Sequence, residues 1–199
     1  MGTRKKSADR KAEIVAAMLT LVAEMGPGCA TTQAVADRVG VTQAGVFRHF
    51  PAKKDLWIAV ADWLIKEAQE RWAKARNCEK SPLDGIKCVI EAQLEFIQHT
   101  PAVHSLIFSR ELHAQNDELR RSFYSMSTDF HIMLTDLAKQ AQVDGELSSD
   151  FAPHEIASVL LTLPSGLATR WSLSGRSFNL AKEGARLLEV MLYGMSKVH

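Results

Sequence analysis

Apolar residues recur along this chain at intervals of three and four, the spacing of one face of an α-helix. Ile14, Met18, Leu21, Val22 and Met25 mark a first helix, which Gly26-Pro27-Gly28 ends. Thr31 or Thr32 stands where a second helix needs a cap. That helix carries Val35, Ala36 and Val39 and stops at Gly40, a residue suited to the left-handed turn at a helix end. Thr42 caps a third, short helix running to His49 and Phe50. Pro51 falls where a first helical turn accepts proline. It opens a long segment, 51–76, with an apolar stripe of Leu56, Val60, Trp63 and Leu64.

A polar break at 77–81 precedes Pro82 and a helix marked by Ile86, Val89, Ile90, Leu94 and Ile97. Thr100-Pro101 ends it, and segments 102–113 and 118–142 follow. The second of these carries Phe123, Met126, Phe130, Met133, Leu134 and Leu137. A loop with Asp144-Gly145 leads to Pro153 and a helix over 153–173, in which Pro164 predicts a kink. A last helix spans 180–196. No alternating strand pattern, sequence repeat or low-complexity tract interrupts this series. The expected fold is all-α with about nine helices: an N-terminal three-helix domain at 1–56, joined through 51–76 to a larger helical bundle within 57–199.

Composition narrows the picture. With 199 residues, 46% of them hydrophobic, the chain can bury a sizeable core. No apolar run reaches the ~18 residues of a membrane span. The basic start Met-Gly-Thr-Arg-Lys-Lys-Ser lacks the apolar core of a signal peptide, so a cytoplasmic chain with no membrane association is expected. Cys29, Cys78 and Cys88 have no C-x-x-C spacing and read as free thiols. The net charge of +1 conceals an asymmetry: 1–76 carries +5 and 77–199 carries −4. A basic N-terminal part points to an anionic partner there, although Arg4-Lys5-Lys6 alone would be an ordinary solvated tail.

Enzyme motifs are missing. There is no G-x-G-x-x-G, P-loop or G-x-S-x-G. Glu95 and His99 lie four apart, not the three that a di-metal helix pair uses. The seven histidines form no H-x-x-x-H pair, so neither a metal nor a cofactor is expected.

Two short helices about Gly40 match a helix-turn-helix, whose second helix lies in the DNA major groove with its N-terminal residues at base edges. Ala36 and Gly45 are small enough for the two helices to approach closely. The stretch Thr31 to Leu56 resembles the DNA-binding domain of the tetracycline-repressor (TetR) family. The resemblance rests on its threonines, Val35-Ala36, Gly40-Val41-Thr42, Gly45, the aromatic at 47, His49-Phe50, Lys53 and Leu56. Two positions depart from the family pattern. Phe47 stands where a phosphate-binding tyrosine is usual, and Ala30 takes the place of the first of a threonine pair. The resemblance places Thr31, Thr32, Thr42, Gln43, Ala44, Gly45, Phe47, Arg48, His49 and Lys53 at DNA. By chemistry, Gln43 reads a base edge, Arg48 meets guanine or phosphate, and the threonines, His49 and Lys53 hold phosphate. The plainer alternative for Arg48, Lys53 and Lys54 is a solvated face.

For the rest of the chain, the resemblance implies a ligand-binding and dimerisation domain. Trp63, Phe96, His99, Phe108, Phe123, Phe130 and Trp171 are its candidate ligand contacts, among the polar groups His104, Arg110 and His131. Aromatics at helical spacing are equally what a packed core uses. The helices at 153–173 and 180–196 are the candidate homodimer interface, or else they close the monomer core. The function implied is a repressor that binds a palindromic operator in double-stranded DNA and is released by a small apolar or amphipathic ligand. Control through a protein partner is the alternative. Repression and activation are not separated by the sequence.

Overall fold

The computed structural model of the chain describes residues 7–76 and 81–196. Arg4-Lys5-Lys6, Cys78 and most of the 77–81 break lie outside them. Among the described residues there are ten helices and no strand. They are α1 (Ser7–Met25), α2 (Thr32–Val39), α3 (Gln43–Phe47), α4 (Lys53–Arg76), α5 (Pro82–His99), α6 (Ala102–Ile107), α7 (Arg110–Gln115), α8 (Asp117–Val143), α9 (Pro153–Leu173) and α10 (Leu180–Met195).

The all-α class holds, but the expected nine helices become ten because 102–113 is two elements. Phe108 closes α6, and Ser109 restarts the chain as a cap whose hydroxyl accepts the Leu112 N–H at 3.3 Å. Pro51 does not open α4. The Asp55 carboxylate accepts the Ala52 N–H at 2.8 Å and fixes the helix start at Lys53 instead. α3 is shorter than expected, ending at Phe47 with Arg48 to Phe50 in a turn.

Packing divides the chain into two compact units. The first runs to Ile65 and includes Thr100–Phe123, so α6, α7 and the start of α8 cluster with the N-terminal helices. Its core holds Ile14, Met18, Leu21, Val22, Val35, Ala36, Val46, Leu56, Trp57 and Val60. Trp57, not Trp63, is the buried indole of α4 here. The buried positions 56, 57, 60, 61 and 64 define a face whose rim, not its centre, carries Trp63. Met25, expected on the inner face of α1, is likewise exposed at the end of that helix.

The second unit comprises Lys66–His99 and the chain from Tyr124 onward. α5, α9 and α10 pack together in it. Gly184 lets α10 come close to α5, since a Cβ there would collide with Leu94 Cδ1 and stand 3.3 Å from Leu167 Cδ2. Lys87 on α5 pairs with Glu189 on α10 at 2.7 Å, and this bond raises the lysine pKa. α9 continues through Pro164, which is buried. No helix among the described residues is long and apolar enough to cross a membrane.

Candidate DNA-binding site

Local chemistry fixes the two short helices. The Thr31 hydroxyl accepts the Ala34 N–H at 3.1 Å and starts α2. Gly40 ends it in the left-handed conformation, φ 72°, where its N–H reaches back to the α2 carbonyls. The Thr42 hydroxyl accepts the Gly45 N–H at 3.1 Å and starts α3. Val35, Ala36 and Val46 meet in the interior and hold α2 across α3. Glu24 on α1 clamps Arg38 on α2 with two bonds, 2.9 and 2.6 Å. The Arg38 hydrogen bonds hold the Glu24 carboxyl below its ordinary pKa. Arg38 is therefore committed within the protein.

Gly45 has a different reason than the expected helix–helix approach. A Cβ there would stand 3.4 Å from Thr42 Oγ1 and Val41 Cβ, which are ordinary contacts within its own turn. A side chain at 45 would meet only Val41 and Thr42 within the chain.

The outward side of α3 carries Gln43, Ala44 and Phe47, followed by Arg48 at its C-terminal cap, all exposed, with Phe47 at 38%. His49 is half-buried beside them. Lys53 and Lys54 are exposed at the start of α4, with the Lys53 ammonium 5.7 Å above the Trp57 ring. Thr31 and Thr42 have their hydroxyls at helix starts on the surface. Thr32 does not: it is 8% exposed, and its hydroxyl accepts from Gln43 Nε2 at 2.9 Å. The phosphate role expected of the Thr32 hydroxyl is thus opposed by burial. Sequence reading missed Lys11, whose ammonium lies 5.6 Å over the Phe50 ring just after α3. Its place on a polar helix face carried no signal of that proximity.

The seven candidate ligand contacts do not converge. Trp63 and Phe108 are exposed, at 38% and 51%. Phe123 sits edge-on to His113 in the first unit, ring centres 5.9 Å apart. His99 is exposed, with Nδ1 2.7 Å from the Glu95 carbonyl oxygen. Trp171 donates its indole N–H to the Phe178 carbonyl at 2.9 Å, near the α9–α10 turn. Phe96 and Phe130 both face the last turns of α4. Trp72 stacks on Phe130 at 4.5 Å, and Arg71 lies 5.2 Å from the Phe96 ring centre. The Trp72 indole N–H donates to Gln93 Oε1 at 2.8 Å in the interior. Trp72 and Gln93 were not among the expected contacts, because nothing in the spacing pairs an indole on α4 with an amide on α5.

A cleft of about 260 Å³ lies beside Lys53, Lys54, Trp57, Ser109 and Glu111 in the first unit, and none of the seven candidates lines it. A more apolar groove of about 360 Å³ runs between α9 and α10, lined by Phe151, Ile156, Val159, Val190, Met191 and Met195. Val190 and Tyr193 are largely exposed on α10. Among the described residues, no cluster of three or more His, Cys, Asp or Glu could hold a metal ion.

A capped helix pair with an exposed second helix and flanking cations, followed by a separate helical unit, defines a helix-turn-helix DNA-binding protein. Residues 14–60 match the family described as bacterial regulatory proteins, tetR family, and residues 82–192 match the BetI-type transcriptional repressor C-terminal domain. The chain belongs to the tetR family of bacterial transcriptional regulators. It is 23% identical over 167 residues to the nucleoid occlusion factor SlmA of Vibrio vulnificus (strain YJ016), covering 83% of this chain and 85% of that one. It is 23% identical over 202 residues to the HTH-type transcriptional repressor BepR of Brucella suis biovar 1 (strain 1330), covering 97% and 95%. Its fold is similar to that of the transcriptional regulator FadR from Bacillus subtilis, solved in complex with stearoyl-CoA. That comparison has a TM-score of 0.78 at 17% sequence identity, covering 94% and 99% of the two chains.

Proposed function

We propose that this regulator is a cytoplasmic repressor that binds a palindromic operator as a homodimer and is released by an amphipathic small molecule. The outward face of α3, with Gln43 and Arg48 exposed between capped helix starts, carries the DNA half of this reading. Thr31, Thr42, His49 and Lys53 flank it as phosphate contacts, and Lys11 joins them. Phe47 keeps a ring at the surface and lacks the hydroxyl donor. The apolar groove between α9 and α10 supports pairing of those helices with a second copy, as four helices around a twofold axis.

The ligand half rests on the Trp72–Gln93 pair. An indole bonded to an amide inside an apolar unit, beside Phe96 and Phe130, is where an entering molecule would find both aromatic surface and one polar reading group. α4 is one helix from Lys53 to Arg76, with Lys53 at the DNA end and Trp72 at the other. A molecule wedged against Trp72 would tilt that helix and carry the reading head out of register. The stearoyl-CoA bound by the FadR neighbour makes a long-chain acyl-CoA the first probe.

The experiment is a DNA titration against the fragment upstream of the regulator's own coding region, with and without stearoyl-CoA and a panel of amphipathic probes. A releasing ligand should weaken operator binding roughly 5–150-fold, and operator should weaken its binding by the same factor. A compound that binds equally well with and without operator contradicts release by that compound. If every probe that binds behaves so, control passes to a protein partner.

A further inference from the structure

Gln43 stands at the first position of α3, exposed, and its side chain reaches back to α2. Its Nε2 donates to the hydroxyl of Thr32 at 2.9 Å, and Thr32 is 8% exposed at the first position of α2. We propose that Thr32 is a positioning residue that holds the Gln43 amide with its oxygen outward, so that Gln43 accepts adenine and rejects guanine. This rests on the reading of α3 as the recognition helix.

The argument is one of donor count. A carboxamide has one acceptor oxygen and one nitrogen with two hydrogens. In the major groove adenine shows an acceptor, N7, and a donor, N6; guanine shows two acceptors, N7 and O6. The last torsion of glutamine is broad and roughly two-fold, so a free amide turns over easily. Turned one way, it serves adenine; turned the other, it gives both hydrogens to guanine. In this structure Nε2 is the atom that reaches Thr32, so one hydrogen is committed and the oxygen faces out; the turned amide, held by the hydroxyl's own proton, is the state that a preference for guanine would reveal. Against adenine that oxygen accepts from N6, and the remaining N–H is left for N7. Against guanine the oxygen meets only lone pairs. Thr32 is itself 8% exposed, so its hydroxyl has little access to water and the Gln43 amide is its side-chain partner.

The chemistry also explains why both residues are polar where α2 meets α3. Val35, Ala36 and Val46 supply the packing there, and a valine at 32 would pack as well. A hydroxyl at that buried position has the Gln43 amide as its partner.

The test is selection of binding sites from a randomised duplex pool by the full-length wild type, Gln43→Ala, Thr32→Val and Thr32→Ser. The readout is the ratio of affinities for sites with adenine or guanine at the position whose preference Gln43→Ala erases. That ratio is unaffected by the fraction of folded protein. The wild type should favour adenine there by roughly 5–150-fold. Thr32→Val should bring the ratio to within about threefold of one, and Thr32→Ser, which keeps the hydroxyl, should restore it. Should valine unsettle α2, Thr32→Ala removes the same acceptor. Undiminished preference in both Thr32→Val and Thr32→Ala overturns the proposal, and so does a wild-type preference for guanine at that position. A wild type that selects no sequence at all overturns the recognition-helix reading itself, and the proposal with it.

Discussion

In the first unit, the polar side chains of α2 and α3 close helix ends and tie neighbours at the surface. Thr31 caps α2, Thr42 caps α3, Arg38 is clamped by Glu24, and Gln43 is held by Thr32. In the second unit, the pair Trp72–Gln93 is enclosed among apolar residues, and the surface between α9 and α10 is itself apolar. The contrast separates two kinds of work. The first unit offers a rigid polar edge to an outside anion, with its core made of small, well-filled helices. The second holds a polar group where only an entering molecule or the protein itself can satisfy it. Substitutions in the second should therefore act on stability, and substitutions at the edge of the first on DNA.

The largest effect expected is that of Trp72→Ala. It deletes a buried indole, its stacking on Phe130 and the donor to Gln93, at a cost of about 3–5 kcal/mol. Denaturant unfolding measures this; a loss below ~1 kcal/mol would mean the pair is not a packed element of the unit. Gly184→Ala should cost about 1–3 kcal/mol, because the added methyl meets the fully buried Leu94 where α10 crosses α5. A thermal melt unchanged from wild type would show that Leu94 can turn aside. At the other edge, Gln43→Ala should lower the melt less than either of these, through loss of the bond to Thr32, while removing ~1–3 kcal/mol of discrimination at one base pair. Loss of stability without loss of discrimination would reverse the contrast between the units. Phe47→Tyr should tighten DNA binding modestly by supplying a phosphate donor, a bond that contributes roughly 1.5–3 kcal/mol at best. Competition binding on one fixed site detects it, and no change would mean that the ring points away from the backbone of the DNA.

The same contrast explains what the sequence could reveal. The short helices of the first unit are set by signals within three or four residues: a threonine before each, a glycine after α2. Those were readable, and so were the bounds of α9 at Pro153 and Leu173. The break at Phe108–Ser109 was not, because a single serine cap within an apolar run looks like a surface residue of one longer helix. The helix start at Lys53 was displaced from Pro51 by Asp55, a carboxylate whose reach to the Ala52 N–H no pattern announces. Thr31 and Thr32 look alike as candidate caps, yet one hydroxyl caps α2 at the surface and the other is turned inward to Gln43. The candidate ligand contacts scattered because helical spacing tells that an aromatic lies on some face, and not which helix that face meets. Trp63 fell on the rim of α4, while Trp72, two and a half turns on, fell inside.

The central claim is that this chain grips duplex DNA through the basic edge around α3. Salt titration of wild-type binding to the fragment upstream of its own coding region tests that most directly. If ~6–10 phosphates are neutralised, affinity should fall ~10³–10⁵-fold between 50 and 200 mM salt. Lys53→Ala should reduce the slope of log affinity against log salt by about 1 and weaken all sequences alike. A flat salt response, or no binding to any genomic fragment, would contradict the account.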